Sequence, residues 1–182
     1  MSRIDDSRPF IALNIAVLTV SDTRTLAEDK SGAVLEERLL AAGHKLADRS
    51  IVPDDVEVIR AKVRQWIAND DVDVVITTGG TGFTGRDVTP EALEPLFEKR
   101  MEGFSTVFHM ISYGKIGVST VQSRATAGVA GATFIFALPG SPGACRDAWD
   151  GILASQLDYR HIPCNFVEIA PRLDEHLKRR KS

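Results

Sequence analysis

The sequence predicts an α/β fold in which a mostly parallel sheet is covered by helices on both faces. Short apolar runs rich in branched side chains alternate with longer segments whose apolar residues recur every three or four positions. Glycine-rich or charged turns separate these segments. Strands that alternate with helices are typical of parallel sheets. Because 182 residues with 43% apolar residues suit one domain, we expect a single α/β unit.

Three strands and two helices are predicted in the first half of the chain. Leu13 to Val20 and Val72 to Thr77 are typical of buried strands, and Lys45 to Val52 is a weaker strand. A helix is predicted over Ser31 to Ala42 and ends at Gly43, a residue favoured just after a helix. A second helix follows, with Asp54 and Asp55 as equal candidates for its N-cap and with one apolar face formed by Val56, Ile59, Val63, Trp66 and Ile67.

The second half of the chain continues the alternation. Thr89 precedes Pro90, so Thr89 is predicted to be the N-cap of a third helix. Phe104 to Tyr113 is predicted as a helix, and Ala125 to Leu138 as two short strands joined near Ala130 and Gly131. Pro139 to Gly143 is predicted as a turn. The last long helix is marked by Cys145, Trp149, Ile152 and Leu153.

The loops at the carboxyl ends of the strands are the expected place for chemistry, because open parallel sheets bind ligands there. The richest of them is Thr77 to Glu91, with the sequence TTGGTGFTGRDVTPE. Its glycines let backbone N–H groups approach an anion, and the helix start at Thr89 adds partial positive charge. Asp87 would repel a phosphate unless a cation such as Mg²⁺ lay between them. A structural role for Asp87, turning the loop or capping the helix, is equally favoured.

Two familiar phosphate motifs fit this loop poorly. No Lys-Ser or Lys-Thr pair follows the glycines, so the loop is not a P-loop. The pattern Gly80-x-Gly82-x-x-Gly85 matches a dinucleotide fingerprint in spacing. That fingerprint opens a helix directly after the first strand, whereas this one follows the third. Nicotinamide binding is therefore the least favoured of the functions considered.

Charge and composition exclude several partner classes. A net charge of −3 disfavours a nucleic-acid partner, which usually selects for basic proteins. The longest apolar stretch, Phe10 to Val20, is too short to cross a bilayer, and Met1 to Arg8 lacks a signal-peptide pattern. Cys145 and Cys164 form neither a metal-type pair nor a disulfide framework. We expect a cytoplasmic protein without a membrane partner, with one domain over 10–170 and polar terminal arms at 1–9 and 171–182.

The chain resembles the MoaB/Mog family of molybdenum cofactor biosynthesis proteins, which includes molybdopterin adenylyltransferases and a domain of gephyrin. The resemblance covers Ile15 to Phe166 and is closer to the MoaB branch. It depends mainly on two segments, TTGGTG at 77–82 and DVTPE at 87–91. Supporting matches are VSD at 20–22, DKSG at 29–32, IVPDD at 51–55, EGF at 102–104, SR at 123–124, LPGS at 138–141 and CRDAW at 145–149.

The resemblance implies a three-layer α/β/α fold and a reaction. The family's active branch transfers AMP from ATP to the terminal phosphate of molybdopterin, needs Mg²⁺ and releases pyrophosphate. The resemblance also implies a homo-oligomer, trimeric or hexameric, that works with other proteins of the pathway. Because not every protein of the MoaB branch need be catalytic, a molybdopterin-binding or scaffolding protein without transferase activity is the alternative.

The resemblance also assigns roles to single residues. It implies that Asp87 binds Mg²⁺ and is catalytic, and that Asp54 is a second catalytic carboxylate. The residues implied to bind the substrates are Ser21, Asp22, Gly79, Gly80, Thr81, Gly82, Thr89, Pro90, Glu91, Ser123, Arg124, Pro139, Gly140 and Ser141. Among these, Arg124 either supplies positive charge to the site or forms a structural ion pair, and only the resemblance favours the first role.

Overall fold

A computed structural model describes residues 3–178 of the chain and shows an α/β fold around a six-stranded sheet. The strands are β1 (Arg3–Ile4), β2 (Asn14–Val20), β3 (Lys45–Val52), β4 (Val74–Thr78), β5 (Lys99–Arg100), β6 (Thr126–Ala130), β7 (Thr133–Leu138) and β8 (His161–Ile162). The helices are α1 (Lys30–Ala41), α2 (Val56–Ile67), α3 (Thr89–Leu93), α4 (Glu102–Ile116), α5 (Pro142–Ala148), α6 (Ala154–Gln156), α7 (Phe166–Ile169) and α8 (Glu175–Lys178). A π-helical turn, Trp149–Leu153, joins α5 to α6.

The main sheet has the strand order β3-β2-β4-β7-β6-β5. Its first four strands are parallel, and β6 and β5 are antiparallel additions at one edge. The expected mostly parallel sheet is therefore confirmed. The carboxyl ends of β3, β2, β4 and β7 lie side by side at one edge, which brings together the four loops in which we expected chemistry.

Both faces of the sheet are buried, and this gives the fold three layers. Alternate residues of β2 point to opposite sides: Ile15 and Val17 join one core, while Ala16 and Leu18 join the other. Helices α1, α4 and α5 cover the first core, and α2 and α3 cover the second. Each fully buried Leu, Ile or Phe side chain stabilises this arrangement by about 1.5–3 kcal/mol relative to its exposed state.

Local structure decides one prediction that the sequence left open and corrects two others. Asp55, not Asp54, caps α2, because its carboxylate accepts hydrogen bonds from the N–H groups of Glu57 and Val58. The prediction that Thr89 caps the third helix is wrong: Val88 occupies the N-cap, and the Thr89 hydroxyl donates to the carbonyl of Gly79 at 2.8 Å. The turn predicted at Pro139 to Gly143 ends earlier, since Ser141 caps α5 and the helix begins at Pro142.

The chain ends are only partly described. Near the N-terminus, β1 pairs with β8 in a separate two-stranded antiparallel sheet. Residues 1, 2 and 179–182 of the predicted arms lie outside the described residues. Among the helices of residues 3–178, none is long and apolar enough to span a membrane.

Candidate functional site

A polar cleft of about 320 Å³ opens at the carboxyl edge of the parallel strands. The loops after β2, β3, β4 and β7 and the segment before β6 all contribute to it. Its lining consists of Val20, Ser21, Arg24, Asp54, Gly79, Gly80, Thr81, Gly82, Asp87, Gln122, Ser123, Pro139 and Gly140. A larger cavity, about 590 Å³, lies against α4 and is lined mainly by apolar side chains. We regard the smaller cleft as the candidate site because it carries the carboxylates and the glycine loop.

The floor of the cleft needs glycine at two positions. Gly79 and Gly80 have φ angles of 103° and 63°, a conformation that other residues rarely adopt. A Cβ atom on Gly79 would lie 2.3 Å from the carbonyl oxygen of Val20, and one on Gly80 would lie 2.4 Å from the hydroxyl oxygen of Thr89. The Gly79 N–H donates to the carbonyl of Leu138 at 3.0 Å, which fixes the loop against the end of β7.

Asp87 both shapes the glycine loop and faces the cleft. Its Oδ2 accepts hydrogen bonds from the backbone N–H of Thr84 at 2.8 Å and from the Thr84 hydroxyl at 2.6 Å. The Thr84 hydroxyl is the main reason that the pKa of Asp87 is lowered, against the smaller opposing effect of partial burial. Asp87 does not cap α3, whose N-cap makes no side-chain hydrogen bond. Of the two structural roles considered, the structure supports loop turning.

Asp54 is the second carboxylate of the cleft. Its surroundings raise its pKa, whereas those of Asp87 lower the pKa of that residue. Burial and the neighbouring Asp22 carboxylate raise its pKa. Asp22 accepts a hydrogen bond from the backbone N–H of Asp54 at 3.1 Å and forms an ion pair with Arg86. Two carboxylates with oppositely shifted pKa values in one cleft are typical of functional sites.

Arg124 is hydrogen-bonded to the glycine loop and is not among the residues that line the cleft. Its Nε donates to the carbonyl of Gly82 and its Nη2 to the carbonyl of Asp87, both at 2.8 Å. The same guanidinium pairs with Glu91, and the Arg124 backbone N–H donates to the carbonyl of Thr81 at 2.9 Å. Its observed contacts are therefore with the loop and with Glu91, which agrees with the alternative of a structural ion pair.

Ser123 brings a hydroxyl group to the cleft wall. The carbonyl of Ser123 lies 3.0 Å from Nε2 of His109, a residue of α4. Within residues 3–178, the buried Ser123 hydroxyl oxygen has no hydrogen-bond partner. A buried polar group without a partner is unfavourable, so this hydroxyl marks Ser123 as a residue whose position in the cleft wall costs stability.

The residues implied by the family resemblance divide into two groups. Ten of them line the cleft: Ser21, Asp54, Gly79, Gly80, Thr81, Gly82, Asp87, Ser123, Pro139 and Gly140. The others lie next to it and hold its loops: Asp22, Thr89, Pro90, Glu91, Arg124 and Ser141. Thr89 and Pro90 are buried, which suits a structural role.

Two polar residues of the cleft, Arg24 and Gln122, were not predicted from the sequence as site residues. Arg24 lies in the loop after β2, and its Nη1 donates to the Ser31 hydroxyl at 3.0 Å and to the Gly140 carbonyl at 3.2 Å. Its place in a loop at the carboxyl end of a strand is the sequence signal that could have found it. Gln122 ends a 3-10 turn after α4 and carries no comparable signal.

The carboxylates fit a magnesium ion only in a restricted way. Nowhere in residues 3–178 do three or more His, Cys, Asp or Glu side chains come together as metal ligands. Mg²⁺ often uses just one or two protein carboxylates and takes its remaining ligands from water and substrate phosphates. Asp87, with Asp54 in the same cleft, suits a cation that is held jointly with a phosphorylated substrate.

Comparison with known proteins decides the family. A sequence profile described as "Probable molybdopterin binding domain" matches residues 16–159, most of the chain. The chain belongs to this family, and its relatives are MoaB and Mog proteins. Molybdenum cofactor biosynthesis protein B of Escherichia coli (strain K12) is 54% identical over 160 residues, covering 88% of this chain and 94% of that protein.

Solved structures of MoaB proteins share the fold. A crystal structure of molybdenum cofactor biosynthesis protein B aligns with a TM-score of 0.83 at 40% identity, covering 92% of this chain and 99% of the other. The tungsten cofactor synthesizing protein MoaB from Pyrococcus furiosus aligns with a TM-score of 0.71 at 37% identity, covering 79% and 92%. These matches confirm the expected MoaB/Mog fold and support a role in molybdenum cofactor biosynthesis.

Proposed function

We propose that this MoaB/Mog protein transfers AMP from ATP to the terminal phosphate of molybdopterin and releases pyrophosphate. One observation carries the proposal: Asp54 and Asp87 face a single cleft whose floor is the Gly79–Gly82 loop. This cleft lies where parallel sheets bind ligands, and its glycine floor allows close approach of phosphate groups. The intact DVTPE segment at 87–91, which includes Asp87, agrees with the active branch of the family.

The reaction requires positioning more than covalent chemistry. An oxygen of the molybdopterin phosphate attacks the α-phosphorus of ATP, and the bond from that phosphorus to the pyrophosphate oxygen breaks. Within residues 3–178, no hydrogen bond uses the backbone N–H of Gly80 or Thr81, so both can donate to phosphate oxygens. Holding two polyanions in line and countering their charge accounts for most of the catalysis in such transfers.

The two carboxylates have separate parts in this proposal. Asp87 is ionised at neutral pH because its pKa is lowered, so it can hold a cation beside the phosphates. Bound Mg²⁺ would neutralise negative charge on the phosphates and on the departing pyrophosphate. Asp54, whose carboxylate lies close to Gly80, has the part of orienting the same end of the substrates.

A second function is favoured by a different observation. The Oδ2 atom of Asp87 is already occupied by two hydrogen bonds from Thr84, which suits a residue that shapes the loop. A protein whose Asp87 only shapes the loop would bind molybdopterin without transferring AMP. This is the non-catalytic, scaffolding alternative, and it shares the cleft with the leading proposal.

An assay with ATP labelled on the α-phosphate separates the two functions. Purified protein, molybdopterin and Mg²⁺ are incubated with the labelled ATP, and label on the pterin is measured together with released pyrophosphate. We expect transfer by the parent protein and a loss of about a hundredfold or more in Asp87→Asn, which keeps the side-chain shape and removes the charge. Molybdopterin binding should change much less.

The matched control is Asp70→Asn, an exposed carboxylate in the turn before β4, at the other edge of the sheet. It should transfer label at the parent rate. Near-normal transfer by Asp87→Asn would contradict the role given to Asp87. Binding of molybdopterin without any transfer by the parent protein would establish the non-catalytic alternative.

We also propose that the protein is a homo-oligomer, trimeric or hexameric. The outer face of α4 and the 3-10 turn after it carry several exposed apolar side chains. These are Val107, Met110, Tyr113, Ile116, Val118 and Val121. Contiguous apolar patches of this kind usually mark protein–protein contacts. The patch adjoins the cleft through Gln122, which follows Val121 and lines the cleft.

A further inference from the structure

The cleft contains one positively charged side chain besides its two carboxylates. Among the residues that line it, Arg24 alone is cationic. Its neighbours in the lining include Ser21, Gly79 and Gly140, which follow β2, β4 and β7. The cleft therefore combines one cationic side chain with two carboxylates.

A buried hydrogen-bond network holds Arg24 in place although the residue is exposed. Its Nη1 donates to the Ser31 hydroxyl at 3.0 Å, and that hydroxyl donates to Oδ1 of Asp29 at 3.1 Å. Asp29 is buried and is itself fixed by an ion pair with Arg49 at 3.0 Å. Nη1 also donates to the carbonyl of Gly140 at 3.2 Å, which ties the guanidinium to the loop after β7. An arginine fixed in advance loses less entropy when it binds a ligand.

The remaining donors of Arg24 match the geometry of a phosphate group. Within residues 3–178, neither Nε nor Nη2 of Arg24 takes part in a hydrogen bond. A guanidinium presents such donors in a planar fork that binds two phosphate oxygens together. The unused N–H groups of Gly80 and Thr81 and the unpartnered hydroxyl of Ser123 belong to the same cleft.

We propose that Arg24 is the phosphate-binding residue of the cleft, with Ser31 as the residue that positions it. The ligand class is a phosphomonoester or a pyrophosphate, whose oxygens accept from the free edge of the guanidinium. The identity of the natural ligand rests on the proposed function. Phosphate binding by Arg24 is testable without any turnover.

Binding of inorganic pyrophosphate, measured by isothermal titration calorimetry at low salt, tests the proposal. We expect Arg24→Gln to weaken binding tenfold or more and Arg24→Lys to give an intermediate loss, because lysine keeps the charge without the fork. The matched control is Arg64→Gln, an exposed arginine on α2 that makes the same change in net charge. It should bind pyrophosphate within twofold of the parent. Equal binding by the parent and Arg24→Gln, or no binding by the parent, would overturn the proposal.

The role of Ser31 has its own measurement. Ser31→Ala should weaken pyrophosphate binding about threefold in the parent and leave it unchanged when Arg24 is already glutamine. A merely structural effect of Ser31 would weaken binding equally in both backgrounds. This double-mutant cycle therefore identifies Ser31 as a positioning residue only if the two losses are not additive.

The calorimetry also separates this proposal from the proposed function. If the parent transfers no AMP but Arg24→Gln still loses pyrophosphate binding, the phosphate site stands and the transferase fails. If the parent transfers AMP while Arg24→Gln binds pyrophosphate normally, the transferase stands and the role of Arg24 is wrong.

Discussion

The guanidinium of Arg86 holds the carboxylate of Asp22 with two hydrogen bonds, Nε to Oδ2 at 2.9 Å and Nη2 to Oδ1 at 2.8 Å. The pair joins the loop after β4 to the loop after β2. Asp22 also accepts from the backbone N–H of Asp54, so Arg86 offsets a negative charge that faces a cleft carboxylate. An exposed pair of this kind adds little to stability. Its larger effect is on the electrostatics of the cleft.

Arg86→Gln should raise the pKa of Asp54 further. The Asp22 charge already contributes to the raised pKa, and Arg86 opposes that contribution. Without the guanidinium, Asp54 ionises at a higher pH, while the free energy of unfolding changes little. An NMR titration of the Asp54 carboxyl carbon in both proteins gives the two midpoints. Arg64→Gln is the control for net charge, and a midpoint that stays or falls in Arg86→Gln would contradict this account.

Gly79→Ala should destabilise the protein, and Gly85→Ala should not. Alanine at 79 would have a positive φ of 103°, and its Cβ would lie 2.3 Å from the backbone oxygen of Val20. Only a shift of the backbone can relieve that contact. We expect a loss of about 2 kcal/mol or more in the free energy of unfolding. At Gly85, no atom lies within 4 Å of the position that a Cβ would take, so alanine there should cost less than about 0.5 kcal/mol. Urea denaturation measures both, and equal losses would show that the glycine loop tolerates a Cβ.

The sequence predicted the elements well because their signals are local. The branched runs became β2, β3, β4 and β7, and the three-four spacing of Ile59, Val63 and Trp66 became the buried face of α2. The choice between Asp54 and Asp55 stayed open because either carboxylate can cap a helix. Tertiary structure decides it: the Asp54 N–H is bound by Asp22, 32 residues away, and Asp55 takes the cap.

The charges of the site could not be placed from the sequence. The partners of Arg124 lie 33 to 42 residues before it, so its attachment to the glycine loop follows from the fold and not from any local pattern. Arg24 lines the cleft, but nothing in the sequence distinguishes it from an ordinary loop arginine. Its contact with Gly140, 116 residues away, follows only from the fold. The family resemblance favoured Arg124 as the positive charge of the site, whereas the structure puts Arg24 in the lining of the candidate cleft.

The apolar face of α4 gives a prediction about assembly. Met110 has 69% of its surface exposed near the centre of that face. If the face joins copies of this chain, Met110→Glu should bury an unpaired charge in the contact and dissociate the oligomer. Light scattering coupled to size exclusion should then give a monomer mass for the variant and a trimer or hexamer mass for the parent.

Leu40→Glu is the control for that experiment, because Leu40 is half exposed on α1 and is not one of the exposed apolar residues of α4. It should keep the parent mass. A parent protein that is monomeric at micromolar concentration would rule out the proposed oligomer. An unchanged mass for Met110→Glu would show that another surface joins the copies.

Asp29 should make stability depend on acid pH. Burial alone would raise its pKa, but hydrogen bonds from the Gly32 N–H, Thr19 and Arg49 outweigh that effect and lower it. A lowered pKa stabilises the folded protein above the unfolded value, near 3.9, and this stability is lost as the pH falls through the folded pKa. Asp29→Asn keeps a good N-cap and removes the charge opposite Arg49.

We therefore expect Asp29→Asn to lower the free energy of unfolding by about 3 kcal/mol at pH 7. Arg49 keeps its ion pair with Glu36 at 2.7 Å, which limits the loss. Below about pH 4, unfolding of the parent is accompanied by protonation of Asp29, which favours the unfolded state. The difference in the free energy of unfolding between the parent and Asp29→Asn should therefore shrink. Urea denaturation at pH 7 and at about pH 3 measures it. Asp150→Asn, which removes the exposed partner of Arg38, should cost less than about 1 kcal/mol at pH 7. If the Asp29→Asn difference were the same at both pH values, the charge of Asp29 would not be what stabilises α1 against β3.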